Sequence, residues 1–227
     1  MYSLILLAGG TGSRMNNPVP KQYMLLAGKP VIMHTLERIE MIEEIDEIII
    51  VCCEKYIESN KLMLQQYNIR KPVKFALSGN TRQASVKSGL DLAKNNQVII
   101  HEAARPFVKT EEFCKLINEK FDNVIMGAPI NYTVLRGAEK VEGTLVRSEL
   151  INVQLPQKFN KKTLLEAHEK AEKDGRVFTE DASLIFAYDP SVEIRIVQGT
   201  EQNIKLTTPT DMIVGKIIYD EFFTRGL

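Results

Sequence analysis

Short apolar runs rich in β-branched residues alternate along this chain with longer segments of helical period, and that alternation is what most constrains its fold. Leu4 to Leu7, Glu47 to Cys52, Val73 to Ala76, Gln97 to His101, Val124 to Pro129 and Glu193 to Val197 read as strands. Between and after them, the spacing of apolar residues predicts helices over Val31 to Ile42, Ile57 to Tyr67, Arg82 to Lys94, Thr110 to Phe121, Lys161 to Lys173 and Thr210 to Phe223. Repeated strand–helix–strand units give a mainly parallel sheet with helices on both faces, an α/β fold. The last helix has a start signal in its sequence: Thr208, Pro209 and Asp211 match an N-cap, a first-turn proline and a capping-box acid. At 227 residues, the expectation is one domain over 1–227. One segment departs from the rhythm. From Asn131 to Gln157, polar and apolar residues alternate around Glu142-Gly143, the pattern of a β-hairpin projecting from the main sheet.

The 29 basic and 29 acidic residues cancel, which argues against a nonspecific nucleic-acid binder and confines any anion site to a local cluster. No apolar run approaches the roughly 20 residues that span a bilayer, and Met1 to Leu7 leads into a glycine loop without a leader pattern, so neither a membrane nor secretion is expected, and the expected location is cytoplasmic. The three cysteines have no metal-ligand spacing and read as core residues. His34, His101 and His168 belong to no nucleophile arrangement and are taken as structural.

The first strand ends in Leu7-Ala8-Gly9-Gly10-Thr11-Gly12-Ser13-Arg14, with Pro20-Lys21-Gln22 following. A glycine-rich turn at the carboxyl end of a first parallel strand lets backbone N–H groups approach phosphate. The turn has neither Walker nor G-x-G-x-x-G spacing. No acid follows at the distance that takes a dinucleotide ribose, since Glu54 lies too far on; this disfavours a nicotinamide oxidoreductase. Arg14 and Lys21 beside an amide-lined loop suit a triphosphate, although either cation alone would read as solvated surface charge. Gly79, Asn80 and Ser85 sit where a helix begins, with free backbone groups and a hydroxyl able to read a pyrimidine edge; Asn80 as N-cap with Gln83 as its capping partner accounts for the same residues. Glu102 and Arg105 follow a strand at the same sheet edge, where a structural ion pair is the plainer reading.

Taken together, these motifs resemble one family. Leu7-Ala8-Gly9-Gly10-x-Gly12-x-Arg14-Met15 with Pro20-Lys21-Gln22-Tyr23, then Gly79 to Val86, His101-Glu102-Ala103-Ala104-Arg105-Pro106, Val153 to Gln157, Thr179 to Ala182 and Asn203 to Thr207 follow the order found in 2-C-methyl-D-erythritol 4-phosphate cytidylyltransferases and their ribitol-5-phosphate relatives. The resemblance implies a Rossmann-like three-layer nucleotidyltransferase fold and transfer of CMP from CTP to a small polyol phosphate with loss of pyrophosphate. It implies Mg²⁺ as cofactor and catalytic roles for Arg14, Lys21 and Lys205. CTP contacts fall to Ala8, Gly9, Gly10, Gly12, Gly79, Asn80 and Ser85, and acceptor contacts to Glu102, Arg105, Thr133, Arg147 and Thr179, with Glu102 also the candidate metal ligand. In the family the hairpin embraces a second subunit, so a homodimerisation arm is expected at about 131–157, with Thr133 and Arg147 serving the neighbour's site. Departures from the family pattern fall on the acceptor side: Glu102 stands where an Asp is usual, Tyr132 precedes the arm threonine, Leu135 replaces a basic residue, and Leu155 a Thr. The alternative from another class is a noncatalytic nucleotide-binding protein of the same fold.

Overall fold

A computed structural model describes residues 1–12, 15 and 18–222. Its strands are β1 (Tyr2–Leu7), β2 (Leu25–Leu26), β3 (Lys29–Pro30), β4 (Ile45–Cys52), β5 (Val73–Leu77), β6 (Gln97–Glu102), β7 (Val124–Pro129), β8 (Leu135–Arg136), β9 (Gly143–Thr144), β10 (Ile151–Asn160) and β11 (Arg195–Gln198). The helices are α1 (Val31–Glu40), α2 (Ile57–Gln66), α3 (Arg82–Leu92), α4 (Thr110–Asn118), α5 (Lys161–Lys173), α6 (Asp181–Tyr188) and α7 (Pro209–Phe222).

Seven strands form one sheet in the order β11-β7-β10-β6-β1-β4-β5. β1 pairs in parallel with β4 and β6, and β4 with β5. β7 pairs in parallel with β11, and β10 runs antiparallel between β6 and β7, joining the two parallel blocks. The period of two along the strands separates two cores. Leu4, Leu6, Ile48 and Ile50 pack with Leu36 of α1, Leu64 of α2 and Leu116 of α4. Ile5, Ile49 and Val51 point the other way, onto Leu90 of α3, Leu164 of α5 and Ile185 of α6. This is the expected three-layer arrangement, with the sheet buried on both faces.

The structure departs from the sequence reading in three places. The alternating segment up to Gln157 is not all hairpin: only β8 and β9 pair with each other, and from Ile151 onward the chain is a strand of the main sheet. α6 has no counterpart in the sequence reading. The N-cap of α3 is Thr81, not Asn80, because the Thr81 side chain accepts from Ala84 N at 3.0 Å. Gln83 instead reaches across to the 176–178 segment, accepting from Phe178 N at 2.7 Å. The expected start of α7 holds: Thr208 N donates to Asp211 Oδ2 at 2.7 Å and Asp211 N to Thr208 Oγ1 at 3.3 Å, a reciprocal box. Phe223, the expected last residue of that helix, lies outside the described residues.

Candidate active site

The carboxyl ends of β1, β4, β5 and β6 open onto a cleft of about 660 Å³, within the roughly 300–1,000 Å³ usual for small-molecule sites. Its walls include Ala8, Gly9, Gly10 and Gly12 from the loop after β1, Gly79, Asn80 and Ser85 from the turn after β5, Glu102 from the end of β6, and Lys21 and Lys205. Thus every expected CTP-side residue among the described ones is brought to a single cleft. Arg14 lies outside the described residues.

The glycine loop is shaped by close packing and by one side chain. A Cβ at Gly9 would come within 2.3 Å of Ser78 Cβ, and Gly12 takes φ of +71°, so a side chain is excluded at the first and strained at the second. Gln22 Nε2 donates to the carbonyls of Ala8 at 2.6 Å and Gly10 at 2.9 Å, pinning the loop's carbonyls inward. Its neighbour Lys21, in the same short 3₁₀ turn, is thereby placed beside the loop. In the opposite turn, Ser85 Oγ accepts from Gly79 N at 3.1 Å and donates to Thr81 O at 2.9 Å, so this hydroxyl fixes the shape of the turn.

Electrostatically the cleft is organised around Glu102, which is buried at the end of β6. Lys205 Nζ lies 2.6 Å from its Oε2, Arg105 Nε 3.9 Å from the same oxygen, and Arg82 Nε 3.4 Å from Oε1. Burial alone would raise this carboxyl; the charges of Lys205 and Arg82 overcome it and hold the group at about 2, below its ordinary 4.5. Arg105 does not line the cleft: its Nη1 donates to Asn203 O at 2.8 Å, tying down the loop that carries Lys205. Asn203 is anchored further by Nδ2 donating to Leu155 O at 2.7 Å.

Thr133, Arg147 and Thr179 are exposed and do not line this cleft. Arg147 Nη1 donates to Asn131 O at 3.2 Å and lines a separate, shallow pocket with Pro129, Ile130, Asn131 and Ser148. Sequence reasoning misses Arg82, Ser78, Thr207 and Cys53 as cleft residues. Of the cysteines, only Cys52 is fully buried; Cys53 Sγ lies 3.5 Å from Ser78 Oγ at the cleft wall. Arg82 lies within the Gly79 to Val86 motif, so its basic side chain is the available signal. The three histidines are buried, as expected of structural residues.

One carboxylate in the cleft is a hard oxygen donor held ionised, and among the described residues no group of three His, Cys, Asp or Glu side chains converges. Such a set suits an ion carried mainly by phosphate oxygens and water, as Mg²⁺ is at nucleotide sites, to which Glu102, the acidic side chain lining the cleft, could add an oxygen.

A glycine loop at the carboxyl edge of a mainly parallel sheet, with two lysines and the Gly79 to Ser85 turn lining the same cleft, is the arrangement of a nucleotide-binding enzyme of the α/β class. The sequence model of the 2-C-methyl-D-erythritol 4-phosphate cytidylyltransferase family matches residues 2–221, and the chain belongs to that family. It is 37% identical over 224 residues to the 2-C-methyl-D-erythritol 4-phosphate cytidylyltransferase of Halalkalibacterium halodurans, covering 97% of each chain, and 35% identical over 223 residues to that of Bacillus licheniformis, covering 96% of each. The crystal structure of 4-diphosphocytidyl-2C-methyl-D-erythritol synthase from Anaerococcus prevotii superposes with a TM-score of 0.86 at 30% identity, over 96% of both chains. Among the described residues no helix is long and apolar enough to cross a membrane.

Proposed function

We propose that this chain transfers CMP from CTP to 2-C-methyl-D-erythritol 4-phosphate, forming the CDP-linked polyol and releasing pyrophosphate. The observation that carries the reading is the convergence of the glycine loop, the Gly79 to Ser85 turn, Lys21 and Lys205 on one cleft in a chain of this family. Membership of that family favours methylerythritol phosphate over ribitol phosphate as acceptor.

In this reading the loop amides from Gly9 to Gly12, with Arg14 and Lys21, hold the triphosphate, and the turn at Gly79 to Ser85 reads the cytosine. The acceptor phosphate is already ionised, so its oxygen attacks the α-phosphorus without a general base. A new phosphorus–oxygen bond forms as the bond from the α-phosphorus to the bridging oxygen of the β-phosphate breaks, and pyrophosphate leaves with the electron pair. Lys205 faces the reacting phosphorus, and Lys21 the leaving group. Two close unit charges at an effective dielectric near 20 interact by about 4 kcal/mol, so preorganised cations matter most where charge builds in the transition state. Glu102, the acidic side chain that lines the cleft, would be the protein's ligand to Mg²⁺, which when bound would supply further charge neutralisation.

The shallow pocket at Arg147 and the exposed β8–β9 arm support a homodimer in which the arm of one subunit, with Thr133 and Arg147, serves the acceptor phosphate of its partner. Thr179 completes the acceptor side, Arg105 serves it from behind by holding Asn203 and Glu102, and the protein acts as one domain in the cytoplasm. The test is pyrophosphate release from CTP with a panel of polyol phosphates: release is expected with methylerythritol phosphate, abolished by EDTA and restored by Mg²⁺. Release with ribitol 5-phosphate alone would reassign the acceptor, and release undiminished by EDTA would remove the metal.

A further inference from the structure

At the cleft wall, an ion pair between the half-buried Arg82 and the buried Asp181 joins two helices that are far apart in sequence. Arg82, the first residue of α3, extends Nη2 to Asp181 Oδ2 at 2.7 Å, while its Nε approaches Glu102 Oε1 at 3.4 Å. Asp181 opens α6 and is 1% exposed; its other oxygen, Oδ1, lies 3.7 Å from Nε2 of His168, a buried residue of α5. Arg82 therefore divides its fork between a carboxylate sealed in the interior and one that faces the cleft, and Arg82 itself lines that cleft. The second helix–segment link runs alongside: Gln83 Nε2 donates to Arg176 O at 3.3 Å and its Oε1 accepts from Phe178 N at 2.7 Å.

We propose that Arg82 and Asp181 are positioning residues that fix the carboxylate of Glu102 and, through it, the ammonium group of Lys205. Glu102 has two oxygens and three cationic neighbours. Arg82 meets Oε1 only at the long distance of 3.4 Å because Asp181 claims its terminal nitrogen at 2.7 Å; that leaves Oε2 to Lys205 at 2.6 Å. Were Asp181 uncharged, Glu102 would be the nearest carboxylate to the Arg82 fork, and the pairing of Glu102 with Lys205 would weaken. A buried ion pair gives little net stability over apolar packing of the same volume, so its distinctive contribution is a fixed direction for the guanidinium. Burial would lower the proton affinity of Arg82 and raise that of Asp181, and in each case the partner's charge reverses the effect, so both groups remain charged. A planar fork is needed for the division, because a lysine at 82 presents one point charge and cannot face both carboxylates in the same way.

The proposal rests on the cytidylyltransferase reading for its consequence in turnover but not for its geometry, and the experiment separates the two. Asp181→Asn preserves shape and removes the charge; Arg82→Lys preserves the charge and removes the fork. Each is compared with wild type, and with the double variant, for kcat and for KM of CTP. Without substrates, the rate at which Lys205 is acylated by acetic anhydride is read by peptide mass spectrometry. Each single variant is expected to lower kcat by about 10-fold with KM for CTP within about threefold, and the double variant to be no worse than the poorer single one, since the two residues act in series. Lys205 is expected to acylate several times faster in both variants, as Glu102 is drawn toward Arg82 in Asp181→Asn and loses the contact that fixes it in Arg82→Lys. Kinetic losses that multiply in the double variant, or Lys205 acylation at the wild-type rate in either folded variant, would overturn the proposal. If Asp181→Asn does not fold, Arg82→Lys carries both readouts alone. If wild type itself shows no CTP turnover, the function is wrong, and the acylation rates still decide whether Asp181 and Arg82 position Lys205.

Discussion

Lys205 Nζ stands 2.6 Å from Glu102 Oε2, a contact that joins the end of β6 to a loop near the far end of the chain and places a cation at the mouth of the nucleotide cleft. The lysine is half-exposed while the carboxylate is buried, so the pair has one face toward any phosphate that enters. Arg82 and Arg105 lie on the same carboxylate, so a phosphate that drew Lys205 away would not leave Glu102 without cationic neighbours.

Replacing Lys205 or Lys21 by alanine is expected to lower kcat by about 10²-fold or more, as when a preorganised cation facing transition-state charge is removed. Steady-state kinetics with thermal unfolding as control checks this. A rise in KM at unchanged kcat would mean that the lysine binds ground state and transition state alike.

Stability should depend on pH in two windows that overlap below about 4.5 and separate above it. The folded-state value of His101 is pushed down to about 3 from 6.5, chiefly by burial, so the unfolded chain takes up a proton there first and stability falls as pH drops below about 6.5. Glu102 is likewise depressed, from 4.5 to about 2, so its contribution is complete above about 4.5 and is lost between there and about 2. Denaturant midpoints measured across this range should show that Glu102→Gln flattens the acid-side slope below about 4.5 and leaves the slope between 6.5 and 4.5 unchanged. A flattening confined to the upper window would contradict the assignment.

The strands β1, β4 to β7 and β11 are legible in the sequence because their β-branched runs are bounded by turns, and each boundary expected for them lies within two residues of the observed one; β11, for example, begins at Arg195 where Glu193 is expected. β10 is harder to read because alternation reveals a half-buried strand without naming its partner, and Pro156 within the run argues against a central position. The sheet accommodates that proline by a register shift against β7 between Gln154 and Gln157. α6 gives no signal because it is only eight residues long and apolar nearly all round, with Phe186 60% exposed beside buried Leu184 and Ile185, so it lacks a helical stripe. In the site, the glycine loop and both lysines can be read from local motifs. The Arg82–Asp181 pair cannot, since nothing in a sequence tells which distant carboxylate a buried guanidinium will meet.

Mixing Arg147→Ala subunits with Lys21→Ala subunits should recover activity, because a heterodimer would rebuild one site that contains both native residues. Arg147 lies on the exposed segment between β9 and β10 and does not line its own chain's cleft, which is the arrangement such a crossing requires. Activity in a mixture shown to exchange subunits checks it; a mixture as inactive as either parent would place Arg147 in the service of its own chain.

The most direct test of cytidylyl transfer is the product itself. Purified protein incubated with Mg²⁺, methylerythritol 4-phosphate and each of CTP, UTP, ATP and GTP in turn is followed by ³¹P NMR, in which a pyrophosphate diester of the polyol and free pyrophosphate appear together. Both signals are expected with CTP, in equal amounts, and much less with either purine nucleotide, if the Gly79 to Ser85 turn that lines the cleft reads a pyrimidine edge. Inorganic pyrophosphate without the diester, or equal turnover of ATP and CTP, would contradict cytidylyl transfer at this cleft.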